Sequence, residues 1–249
     1  MSGHSKWSQI KRQKGVADVK RGALFTKLAR EIIVAARQGG GDPDANFRLR
    51  LAIQKARENN MPMENIERAV KRGTGGGEEG NVTELTYEGY GPGGAAILVQ
   101  AMTDNRNRTA SEVRNVFTRA GGNLAESGSV AWNFEPKGVI TITDGLKDPE
   151  DAALLAIDAG AEDVKVDDGS LEIYTKPEDV EVVKKALEDK KLKVSSSEVS
   201  MVAKVHVEQD VPTAIKTLRL LDKLEELDDV QRVFSNVDFP DEAIEQYEG

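Results

Sequence analysis

Residues 73–102 read GTGGGEEGNVTELTYEGYGPGGAAILVQAM, and the period of the hydrophobic pattern changes inside that stretch. Gly73–Gly80 is glycine and glutamate with one threonine and no large apolar side chain, the composition of a linker. Beyond it Val82–Tyr90 and Ala95–Met102 have the two-residue period of strands, joined by Gly91-Pro-Gly-Gly94, whose residues suit a tight turn. Upstream the period is 3.6. Leu24, Leu28, Ile32 and Ala35, widened by Phe25 and Ala36, mark a helix over 23–38 that Gly39-Gly-Gly41 ends. Phe47, Leu51, Ile53 and Ala56 mark a second helix over 44–58. Pro62 opens a third, with Ile66, Ala69 and Val70 inward.

Downstream, Thr109-Ala-Ser-Glu112 has the form of a capping box before a helix carrying Val113, Val116 and Phe117. Gly121-Gly122 closes that helix, and residues 129–134 read as a strand. Then follow a strand at 139–143, a helix at 149–159, strands at 163–166 and 171–175, a helix at 177–187 and a strand at 193–197. That order, βαββαβ, is the ferredoxin-like split unit. A strand at 199–207, a helix at 212–227 and a strand at 230–237 complete the chain. The β-β-α-β before the split unit and the β-α-β after it are each short of a full sheet, and together they make one. The expected fold is therefore α+β and multidomain. A small all-helical N-terminal domain with a basic arm (1–79) precedes two α+β domains, the middle, ferredoxin-like one (136–198) inserted into the other (80–135 plus 199–249). A tandem order of the two satisfies the same pattern.

Charge is distributed unevenly along this order. Of 249 residues with a net charge of −9, residues 1–77 hold 16 Lys and Arg against seven Asp and Glu, a balance of +9, and residues 78–249 carry −18. A basic end on an acidic body points to an anionic partner for that end. Attraction between the two ends of the same chain is the competing explanation. Within the basic end, Lys6, Lys11, Arg12, Lys14, Lys20 and Arg21 surround Trp7 in a stretch too poor in apolar residues to pack. At 100° per residue, Lys20, Lys27, Arg30 and Arg37 share one arc of the first helix, nearly opposite the Leu24/Leu28/Ile32 stripe. These side chains are the candidate nucleic-acid contacts: the cations for phosphate, Trp7 for a base or, equally, as an apolar anchor for the arm. Arg106 and Arg108 join them, lying in a polar loop at a helix N-terminus, where backbone N–H groups favour an anion.

Catalysis has no local support. The chain has no cysteine and two histidines, His4 and His206, and no motif for nucleophilic or metal-assisted hydrolysis. Gly89-Tyr-Gly-Pro-Gly-Gly94 fits the spacing of the dinucleotide fingerprint, but a strand pattern follows it where that motif needs a helix. No catalytic residue, metal ligand or cofactor is expected. No signal-peptide or membrane-spanning pattern is read, so a cytoplasmic protein without a membrane partner is expected.

Several stretches together resemble the YebC/PmpR family. They are Gly3-His-Ser-Lys-Trp7, Phe25-Thr-Lys-Leu-Ala-Arg-Glu-Ile32, Asn46-Phe-Arg-Leu-Arg50, Asn65-Ile-Glu-Arg68, Lys71-Arg-Gly-Thr-Gly75, Tyr87-Glu-Gly-Tyr-Gly-Pro-Gly-Gly94, Thr103-Asp-Asn-Arg-Asn-Arg-Thr109 and Gly128-Ser-Val130. The resemblance implies a helical domain plus two α+β domains. It also implies a non-enzymatic regulator of gene expression, described for most members as DNA-binding and transcriptional. Mitochondrial relatives are described as translational activators, which implies RNA of the ribosome as partner. No recognition helix lined for base edges is evident, so DNA and RNA both stay open. An adaptor whose acidic α+β domains dock a protein partner is the other class of reading.

Overall fold

Ile32, Ile33, Val34, Ala35 and Ala36 are apolar without a break, and a helix apolar on every side must be covered on every side. That requirement organises the N-terminal half of the computed structural model, which describes residues 18–75, 82–143, 146, 148–167 and 170–247. Helix α1 (Asp18–Gly39) packs against α2 (Phe47–Glu58) and α3 (Met63–Thr74). Its remaining surface meets the next unit, whose Val82 and Met102 belong to the same buried cluster as Leu28, Ile32, Leu49 and Ile66. Helix α2 begins at Phe47, three residues later than the sequence suggests, because Asn46 is its cap. The Asn46 side chain accepts from Leu49 N at 3.1 Å and donates to the carbonyls of Ala35 and Gly40, each at 2.8 Å. Gly73 lets α3 lie close on α1: a Cβ there would stand 2.5 Å from the Ile33 carbonyl oxygen and 2.7 Å from Ala36 Cβ.

Strands β1 (Thr83–Tyr90) and β2 (Ala96–Thr103) pair antiparallel from Thr83↔Thr103 to Tyr90↔Ala96, around a turn in which Gly93 and Gly94 have φ of 65° and 78°. Helix α4 (Arg106–Arg119) starts earlier than the capping-box pattern indicates. Asn105 caps it by accepting from Arg108 N at 3.1 Å, and Thr109 lies inside its first turn, buried. After the short β3 (Asn123–Leu124), residues 129–133 form no strand. The N–H groups of Val130 and Ala131 turn toward Glu88, Ala131–Asn133 is a 3-10 turn, and extended structure resumes at β4 (Phe134–Ile142).

From β4 the chain runs through α5 (Pro149–Asp158), β5 (Asp163–Asp167), β6 (Ser170–Thr175), α6 (Val180–Asp189) and β7 (Ser196–Ala203). The sheet order is β5-β6-β4-β7 with every neighbour antiparallel, the order of the split βαβ unit. Its core joins Ile140, Ile142, Leu171, Ile173, Val183 and Leu187. The strands expected at 193–197 and 199–207 are one strand, β7, paired along β4 from Phe134↔Ala203 to Thr141↔Ser196. The segment expected to begin the return to the first sheet thus belongs to this one.

The chain then forms β8 (Val207–Glu208), α7 (Val211–Glu225), β9 (Val230–Ser235), β10 (Val237–Asp238) and α8 (Asp241–Gln246). β9 pairs antiparallel with β2, giving the sheet β3-β1-β2-β9, so strands from both sides of β4–β7 share one sheet. Ile97, Val99, Phe117, Leu218, Leu221, Val233 and Phe239 fill its core. Among the described residues no helix is long and apolar enough to cross a membrane.

Candidate nucleic-acid interface

The cationic face of α1 is where the structure departs furthest from the sequence expectation. Lys27 Nζ donates to the carbonyl of Glu225 at 2.5 Å, at the C-terminal end of α7. Arg30 donates to the carbonyl of Asp228, and its Nη2 lies 2.8 Å from Asp229 Oδ1. Arg37 donates to the carbonyl of Val82. Of the arc drawn opposite the Leu24/Leu28/Ile32 stripe, Lys27 and Arg30 are half-buried and Arg37 is exposed. The arc faces the acidic half of the chain, because α1 is sandwiched between its own bundle and the α+β unit. The Arg30–Asp229 ion pair is a contact of the kind that the competing explanation of the charge asymmetry names, while the bonds from Lys27 and Arg37 go to backbone carbonyls.

Asp229 anchors that contact and carried no sequence signal as a functional residue. It is 2% exposed. Its Oδ2 accepts from Thr109 Oγ1 at 2.6 Å, Arg108 Nη2 at 2.7 Å and Thr103 Oγ1 at 3.0 Å. Oδ1 accepts no hydrogen bond among the described residues, so Arg30 meets it as an ion pair without hydrogen-bond alignment. Burial pushes the Asp229 carboxyl up. The bonds from Thr109 and Arg108, the Arg30 charge and the Thr103 bond outweigh that and hold it below the usual carboxylate value. Hydrogen bonds to Asp229 and Asp104 in turn hold the Arg108 guanidinium above its ordinary value. Arg108 is therefore part of an ionic cluster although its side chain is still 42% exposed, and Arg106, two residues away, is exposed as well. Asp229 closes this cluster across 120 residues of chain from Thr109 and nearly 200 from Arg30, and a separation of that kind leaves no local pattern.

Lys6, Trp7, Lys11, Arg12 and Lys14 lie outside the described residues. Lys20 and Arg21 lie in the first turn of α1, their side chains outside what is described. What the helical unit does present is a groove between α1 and α3 of about 240 Å³, along the middle of α1. Phe25, Ala29, Ile33 and Met61 make it apolar, and Thr26, Asn65, Arg68 and Arg72 supply polar groups. Arg68 makes an exposed i,i+4 pair with Glu64, at 3.0 Å, an interaction worth about 0.5 kcal/mol. On α2, Phe47 is 62% exposed with the Arg50 guanidinium 5.4 Å from its ring centre. Neither the groove nor Phe47 stood among the sequence candidates. An apolar helical residue reads as core unless its neighbours in space are known.

A second exposed aromatic is held rigidly. Trp132, 64% exposed, donates from Nε1 to the Ser129 carbonyl at 2.9 Å, and Tyr90 donates to the same carbonyl at 3.0 Å. The loop carrying both ends of this arrangement is fastened by buried Glu88, which accepts from the N–H groups of Gly128 and Val130 at 2.7 Å and Ala131 at 2.8 Å. Among the described residues no group of three His, Cys, Asp or Glu side chains is placed to hold a metal.

Residues 5–76 match the family described as TACO1/YebC protein N-terminal domain, and residues 82–237 match that described as TACO1/YebC second and third domain. A probable transcriptional regulatory protein of Dehalococcoides mccartyi is 57% identical over 247 residues, covering 99% of this chain and 98% of its own. One from Chloroflexus aurantiacus is 56% identical over 251 residues, with both chains covered completely. Among solved structures, a conserved hypothetical protein of Aquifex aeolicus is similar at 49% identity with a TM-score of 0.77, covering 90% of this chain and 92% of that one.

Proposed function

The chain belongs to the TACO1/YebC family, and on that premise we propose that it is a non-enzymatic, nucleic-acid-binding regulator of gene expression acting in the cytoplasm. The observation that carries this reading is the α1/α3 groove, an apolar recess rimmed by Arg68 and Arg72 in the segment whose charge balance is +9. Cations position a phosphate backbone, and an apolar recess beside them accepts a base. The contacts we assign are Lys6, Trp7, Lys11, Arg12, Lys14, Lys20 and Arg21 of the arm, with Arg68, Arg72 and exposed Arg106. The relatives' names support a role in transcription, and for such a role we take DNA as the partner. Recognition of unpaired RNA, within the ribosome or elsewhere, is the second reading. An apolar recess of about 240 Å³ has room for one splayed base, as unpaired RNA presents. With this reading goes a division of the chain into a helical unit, an α+β unit built from β1–β3 and β8–α8, and an inserted unit from β4 to β7.

The test is the affinity of the Arg68→Glu, Arg72→Glu double variant for DNA and RNA oligonucleotides as a function of salt. Loss of two phosphate contacts lowers the slope of log K against log salt by about 1.4 on a single strand. Affinity and slope equal to wild type refute the assignment of the groove. Preference between the two oligonucleotides separates the readings.

A further inference from the structure

Lys27 and Arg30 meet what a phosphate backbone would offer them, only from their own chain. Residues 225–229 read Glu-Glu-Leu-Asp-Asp. Lys27 sits on the last carbonyl of α7, where the helix dipole is negative, and Arg30 takes the Asp228 carbonyl and the Asp229 carboxylate. A polar recess of about 470 Å³ opens at this boundary, lined by Arg30, Asp104, Arg108, Glu112, Glu226 and Asp229 among others. Arg30 remains 17% exposed, so the pair is reachable by ions. Val82 and Met102 are the residues of the α+β unit that enter the helical core among those described, so the apolar part of the boundary is small.

We propose that residues 225–229 act as an intramolecular stand-in for phosphate, closing the cationic face of α1 until a polyanion displaces them. This rests on the nucleic-acid reading above and adds regulation to it. In the closed form the arm and groove alone meet the ligand. Opening adds Lys27 and Arg30, so the protein binds weakly until a sufficiently long polyanion competes, and apparent affinity is reduced by the closed fraction. Asp229 is suited to this part because its Oδ2 is fixed by Thr103, Arg108 and Thr109 whether or not Arg30 is present.

The full-length chain tests this directly. It has no cysteine, so Glu58→Cys and Lys216→Cys, both exposed, place one donor and one acceptor dye on the two sides of the boundary. Addition of a single-stranded RNA of about 20 nucleotides is expected to lower energy transfer, through release of contacts that the polyanion replaces. Asp229→Asn is expected to lower transfer without RNA and to tighten RNA binding about tenfold, which corresponds to an open fraction in wild type of one tenth or less. Adding Arg30→Ala should abolish that gain. RNA binding to wild type with unchanged transfer overturns the proposal and leaves the nucleic-acid reading standing, as does an Asp229→Asn that opens without a gain in affinity. Absence of binding by both proteins overturns the nucleic-acid reading and this proposal with it. Should Asp229→Asn fail to fold, transfer in wild type across about 50 to 500 mM salt decides instead: a fall supports the contact as ionic and competitive, and a flat response overturns it.

Discussion

Replacing Glu88 should unfasten the loop that carries Trp132. Glu88 is 4% exposed and its two oxygens accept three backbone N–H groups at 2.7–2.8 Å. Hydrogen bonds to a charged group contribute about 1.5–3 kcal/mol each when their loss leaves a buried partner unpaired. Val130 is buried, while the bonds at Gly128 and Ala131 are only partly so, and water can replace the carboxylate at those two once the loop shifts. Glu88→Ala should therefore cost about 3–5 kcal/mol rather than the sum of three full bonds. Glu88→Gln keeps one acceptor but turns an NH₂ donor toward a backbone donor, and should cost about 2–3 kcal/mol. Urea denaturation followed by Trp132 fluorescence in a Trp7→Phe background measures both, and amide exchange at Val130 and Ala131 reports whether the loop has opened. A pH series adds a sign. Burial raises the Glu88 carboxyl, and the bonds from Gly128, Val130 and Ala131 overcome this and hold it below the ordinary value. Its contribution is thus complete above the unfolded value of about 4.3 and disappears as pH falls through the lower folded value. The gap between wild type and Glu88→Gln should narrow over that acid range. A Gln variant within about 0.5 kcal/mol of wild type at pH 7, with protected amides, refutes the account of the loop.

Gly73→Ala should lower the melting temperature although alanine is the better helix former by about 1 kcal/mol. The new methyl meets a backbone carbonyl of α1 that cannot move aside, and overpacking of that kind costs about 1–3 kcal/mol. A higher melting temperature would show that α1 and α3 do not approach as described. Asn46→Ala removes a cap together with two bonds to α1 carbonyls, and should cost about 2–3 kcal/mol in the same assay. Asn46→Asp, which retains the cap and loses the donors, should fall between alanine and wild type.

Much of the architecture was legible because local patterns carry it. The change of period after Gly80, the hairpin at Gly91–Gly94 and the βαββαβ order each follow from side-chain spacing and turn residues. Boundaries were misplaced where a side chain far off in sequence intervened. Residues 129–133 have the composition of a strand, but Glu88 competes for the N–H groups of Val130 and Ala131. The helix thought to begin at Thr109 begins at Arg106 because Thr109 is drawn inside by Asp229. The two strands inferred around Ser197 are one because β4 offers it a continuous partner.

The sequence by itself determined that α1 has an apolar stripe and a cationic arc, that the chain divides into a basic helical part and an acidic α+β part, and which family it resembles. Only the tertiary structure decided what the arc faces. A cation on a helix is satisfied equally by water, by phosphate or by a carbonyl and a carboxylate of the same chain, and spacing along the helix is the same in all three cases. The choice for Lys27, Arg30 and Arg37 followed from the apolar run Ile32–Ala36, whose cover includes Val82 and Met102 and so sets the α+β unit, with residues 225–229, beside the cations of α1. Phe25, Arg68 and Arg72 lie on the opposite boundary of that packing and keep a groove open.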